Sequence, residues 1–190
     1  KSYQKSKNGG LEYLSLAFLF LSFHSFSLSV PALINPSDLK TIGVWYVIGT
    51  VFLFLLLITS FKVQTSLYRG SLKKHSFIVN TILIGIGIFV VGTELYDFRT
   101  PVFGERGVIF WNVNPIAGWL TGLTSLIYGL VWADFFQQTR TLVSDKMSRI
   151  KMLVLSIDGI ILGISALLVF TSKVALVTIV GHALFIIACV

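Results

Sequence analysis

Three ionisable side chains stand well away from the ends of the long apolar runs of this sequence: His24, Asp158 and His182. A charge at bilayer depth costs at least about 2.5 kcal/mol, so such residues pair, bind or carry protons where they occur. His24 falls 13 residues beyond Leu11, about 20 Å along a helix rising ~1.5 Å per residue. His182 falls eight residues beyond Val174, about 12 Å from the opposite end of its run. The two depths match, so neutral imidazoles at one level form a candidate pair for haem or copper ligation, or for a proton relay. The plainer alternative is that each imidazole bonds a neighbouring hydroxyl or carbonyl. Asp158 lies about two turns into its run beside a face of small residues. It is a candidate coupling acid for a proton or cation, and its alternative is a pairing with a nearby lysine or arginine.

A second polar set begins at the end of the third apolar run and continues beyond it: Glu94, Asp97 and Glu105, with Arg99 and Arg106 close in sequence and Phe98, Phe103, Phe110 and Trp111 interleaved. Three carboxylates suffice for a weak calcium site. The two arginines nearly balance them, and no compact ligand run is present, so charge pairing is expected and a metal site is not. Cys189 is the one cysteine, so no disulfide framework or thiolate cluster can be built. No nucleophile elbow, H-E-x-x-H or Walker motif occurs, and GIGIFVVG (85–92) is a packing pattern rather than a nucleotide loop. A catalytic centre is not expected.

The elements that must carry these groups are set by hydropathy. The 190 residues are 55% hydrophobic and 12% charged, with a mean hydropathy of +0.86, where soluble domains are about a quarter charged. Apolar runs cover 11–34, 42–61, 76–96, 113–136, 150–170 and 174–190. A hydrocarbon core about 30 Å thick requires about 20 helical residues, and irregular backbone cannot face lipid. The expectation is an all-α, multi-pass integral membrane protein: one domain over 1–190, a bundle of six transmembrane helices. Of the 15 basic residues, eleven fall before the first helix, between the second and third, and between the fourth and fifth. That asymmetry predicts both termini on the cytoplasmic side. The +7 formal charge is therefore a topology signal that also suits lipid headgroups, and nucleic acid is excluded as a partner because no soluble basic module exists. The chain opens on lysine and closes within an apolar run, so flanking residues are expected to continue it.

Small residues recur at helical spacing. Gly118, Gly122, Ser125 and Gly129 share one face of the fourth helix, and Ser156, Gly159 and Gly163 share one face of the fifth. Ser15, Ser22, Ser25 and Ser29 do so on the first, and Gly85, Gly87 and Gly92 lie on the third. Lipid tails give helices no hydrophobic reason to associate, so GxxxG-type faces that allow close approach are the expected interfaces. Asn114 followed by Pro115 reads as an N-cap and first helical position. The windows 14–30 and 153–169, and 47–57 and 179–189, align without gaps, which is the pattern of a parallel internal repeat of helices one-two and five-six.

The opening segment YQKSKNGGLEYLSLAFLFLSF, basic and then rich in Leu and Phe, resembles the linker and following helix of multi-helix sensor input domains in prokaryotic signalling proteins. The likeness covers about the first 30 residues. It implies a membrane-embedded sensing role and assigns no functional residue. Together these readings predict a non-catalytic membrane protein acting by helix packing, as a sensor-type domain or an accessory subunit of a membrane complex. Its partners would be lipids and other membrane subunits or a second copy, with no cofactor. The alternatives are a small transporter or channel using Asp158, and a haem or metal electron-transfer subunit using His24 and His182.

Overall fold

A computed structural model describes residues 9–67, 71–103, 109–111 and 113–189. Six helices are present among them: α1 (Gly9–Ile34), α2 (Leu39–Leu67), α3 (Ser71–Tyr96), α4 (Pro115–Leu142), α5 (Lys146–Thr171) and α6 (Ala175–Cys189). The first five are long and apolar enough to cross a membrane. The sixth has 15 residues, fewer than the about 17 that a span takes at minimum. A two-stranded antiparallel pair, β1 (Val102–Phe103) and β2 (Ile109–Phe110), lies between α3 and α4; Val102 pairs with Phe110 and Phe103 with Ile109.

The helices outrun the apolar runs that announce them. The second reaches Leu67 and the fourth Leu142, where hydropathy alone ends them at 61 and 136. Hydropathy registers only residues that prefer hydrocarbon, whereas a helix continues into the polar interface for as long as its backbone bonds are cheaper there than in a coil. Its ends are set by caps instead. The Asp38 carboxylate accepts from the Thr41 amide at 3.0 Å and opens α2. Asn114 accepts from Ile116 at 2.9 Å, with Pro115 first in α4. Asp145 accepts from Ser148 at 2.8 Å and opens α5. Each cap satisfies an amide that the first helical turn leaves without a partner.

The chain falls into two compact units, 1–101 and 102–190. In the first, α2 packs against both α1 and α3 and is the enclosed member: Ile42, Tyr46, Thr50, Phe54, Leu57, Phe61 and Gln64 are buried. The buried stripe of α1 is Ala17, His24 and Ser27, while Ser15, Ser22 and Ser29 are exposed. In the second unit, α5 packs against both α4 and α6. Outward-facing side chains in both are large and apolar, Phe18, Phe77, Ile88, Ile127 and Ile186 among them, which suits lipid as solvent.

Candidate functional site

Within the first unit, polar groups are gathered along α2. The His24 ring meets the Gly49 carbonyl through Nδ1 at 2.8 Å. A carbonyl can only accept, so Nδ1 carries the proton. Glycine at 49 permits the approach, because a Cβ there would sit 3.3 Å from Leu28 and Ser27 and 3.6 Å from His24 Nδ1. Around this bond the α1–α2 contact is aromatic: Phe52 stacks on Phe23 at 5.0 Å and Phe20 at 6.2 Å, and Phe26 meets the edge of Trp45 at 6.1 Å.

Farther along the same unit, Glu94 is buried, with 4% of its surface exposed. Neither carboxylate oxygen makes a hydrogen bond of regular geometry. The polar groups acting on it are the hydroxyls of Thr50 and Tyr46 on α2. Thr50 Oγ1 itself donates to the Tyr46 carbonyl at 3.1 Å. Glu94 is placed by the buried face of α3, where Leu83, Gly87, Val90 and Glu94 recur at helical spacing and Gly87 receives the ring of Phe54. After α3 ends, the chain turns back over this end of the unit. Pro101 is fully buried, and a Cβ at Gly43 would meet the Phe98 ring at 3.0 Å and Pro101 at 3.3 Å. Asp97 and Arg99 in that turn form an ion pair at 2.6 Å, which holds the Arg99 guanidinium above its usual range.

Glu94 thus stands apart from the acids it neighbours in sequence. Glu105 and Arg106 lie outside the described residues, and Asp97 is spent on Arg99. The signal that places Glu94 is the spacing from Leu83, which puts it on the face that packs rather than in the loop. Gln64 is a second buried polar group that sequence reasoning passed over: it has 0% exposure, and its amide nitrogen and oxygen have no hydrogen bond.

In the second unit the small residues of α4 and α5 face each other. A Cβ at Gly129 would fall on the Gly159 carbonyl, one at Gly118 would stand 2.5 Å from the Phe170 carbonyl, and one at Gly163 would stand 3.1 Å from Leu126 Cα. Gly122 lies against Leu167 and Thr171, and the Ser125 carbonyl faces Gly163. Ser156 Oγ crosses the seam to the Ala133 carbonyl at 2.9 Å. On the other side of α5, Ser165 donates to the Gly181 carbonyl of α6 at 2.8 Å. The α4 face is therefore occupied by α5.

Asp158 sits at the midpoint of α5, half-buried between Ser156 and Gly159 in sequence, and no hydrogen bond or ion pair holds it among the described residues. His182 is exposed on α6 and meets the Thr178 carbonyl, one turn back, through Nδ1 at 2.8 Å. Each histidine is thus engaged by backbone within its own unit. The Cys189 side chain lies outside those described. Among the described residues no three His, Cys, Asp or Glu side chains gather as a metal set. Compared with protein-family models, with curated proteins and with solved structures, the chain matches none.

Proposed function

We propose that this chain is a non-catalytic, multi-pass membrane protein that works by helix packing, as a sensor-type domain or an accessory subunit of a membrane assembly. The observation that carries the reading is the open face of α3. Gly85 and Gly92 stand two turns apart, with nothing within 4 Å of the position a Cβ would take at either. Glycine in a spanning helix costs about 0.5–1 kcal/mol relative to alanine, and its return is close approach of another backbone. Gly87, on the buried side of the same helix, has that return in Phe54. Gly85 and Gly92 have it only when a further helix docks.

Replacing both Gly85 and Gly92 by leucine should leave a folded chain and abolish its assembly. Native gels and chemical crosslinking in native membranes read this directly. Unchanged migration and unchanged crosslinks in the double variant would defeat the proposal. A second reading, a transporter or channel, draws on the unbonded Asp158 at the middle of α5. It requires Asp158→Asn to abolish uptake in vesicles while expression and thermal stability hold.

A further inference from the structure

We propose that Glu94, with Thr50 and Tyr46, is a binding site for one positive charge, a proton or a small monovalent cation, reached from the end of the first unit where residues 97–101 fold over α2. The inference goes beyond the assembly reading and does not depend on it. Burial comes first: the carboxylate has 4% exposure and no hydrogen bond of regular geometry. A bare charge in that position is costly enough that natural sequences discard it or neutralise it.

The nearest cation in sequence is not available to do so, since Arg99 is engaged by Asp97 at 2.6 Å. On α2, which packs against α3, the titratable group acting on Glu94 is Tyr46; Thr50 acts on it as well. Thr50 donates to the Tyr46 carbonyl at 3.1 Å, and a hydroxyl that donates keeps two lone pairs. Those lone pairs accept from a protonated acid, and they join an ionised one as oxygen ligands around a small cation. The bound charge then completes the cluster.

The site also has a short way in. Glu94 is two residues from the end of α3, about 3 Å along the axis at ~1.5 Å per residue. The cover at this end is the Phe98–Pro101 turn resting on Gly43.

The test uses the full chain in lipid nanodiscs. If the occupant is a proton, infrared difference spectra should show a carboxylic-acid carbonyl band that vanishes as pH rises and is missing in Glu94→Gln at every pH. If the occupant is a metal cation, that band is weak, and sodium chloride but not choline chloride should raise the thermal midpoint of the native protein and leave Glu94→Gln unmoved. Thr50→Val guards against a glutamine variant that fails to fold: it should shift the band, or remove most of the sodium effect. A native protein with neither a pH-dependent acid band nor a sodium effect overturns the proposal, as do effects that persist in Glu94→Gln or ignore Thr50→Val.

Discussion

The two halves of this chain solve one problem in different materials. Helices α1 and α2 meet through side chains: stacked phenylalanines, a tryptophan edge, and an imidazole set on a carbonyl. Helices α4 and α5 meet through backbone, glycine against carbonyl along several turns, with one serine bond across the seam. Lipid gives neither pair a hydrophobic drive. The aromatic contact gains its attraction from large polarisable surfaces, and the glycine contact gains it from proximity. The first tolerates change, because a ring can turn or be exchanged for another apolar group. The second does not, because a carbonyl in a helix has nowhere to go.

The sharpest way to break this contrast is Gly129→Ala. The added methyl would fall on the Gly159 carbonyl, and the expected loss is about 3 kcal/mol, the upper end of overpacking costs. Thermal unfolding in detergent measures it, and a loss below 1 kcal/mol would mean that the seam yields as softly as the aromatic contact. On the other side, Phe52→Leu removes two stacked pairs but keeps an apolar side chain. Its expected cost is about 1–2 kcal/mol, from ~0.5–1.5 kcal/mol per aromatic pair. Gly85→Ala should have the opposite sign: with open space beside it, alanine stabilises the isolated chain by about 0.5–1 kcal/mol through helix propensity.

The smallest effect belongs to both units equally and serves as their control. The caps Asp38 and Asp145 have carboxyls held below their ordinary range, mainly by the Thr41 and Ser148 amides respectively. A group whose folded pKa is depressed contributes above its unfolded value, near 3.9, and loses that contribution as pH falls toward the folded one. The thermal midpoint should therefore slip slightly below about pH 4 in the native chain, and less in the double variant Asp38→Asn, Asp145→Asn, which keeps both caps but cannot titrate. Equal slippage in the two would assign the acid effect to other carboxyls.

These contrasts were unevenly legible in the sequence. The helical class and five of the helices follow from hydropathy and length, since lipid forbids irregular backbone. The cap at Asn114 follows from its type and the proline after it. Which face of each helix packs was harder to see. In water a buried stripe is apolar and its opposite is not. In lipid both are apolar, so α1 offers its serines to inspection, while His24 and Ser27 face α2. Glu94 was hidden differently: its company of loop acids and arginines suggested charge pairing in the loop, and only the Leu83–Gly87–Val90 spacing places it inside. For α4 and α5, Gly118 to Gly129 and Ser156 to Gly163 mark contact faces, but spacing does not say which partner each one meets.

The turn between α4 and α5 is only residues 143–145, with Arg149 reaching back to the Val143 carbonyl at 2.7 Å. A link this short makes the glycine seam a contact between neighbours in sequence, so little chain entropy is lost in closing it. The pair can then enter the bilayer as a ready-made hairpin during synthesis. The residues least able to accept substitution are in this way joined by the shortest search.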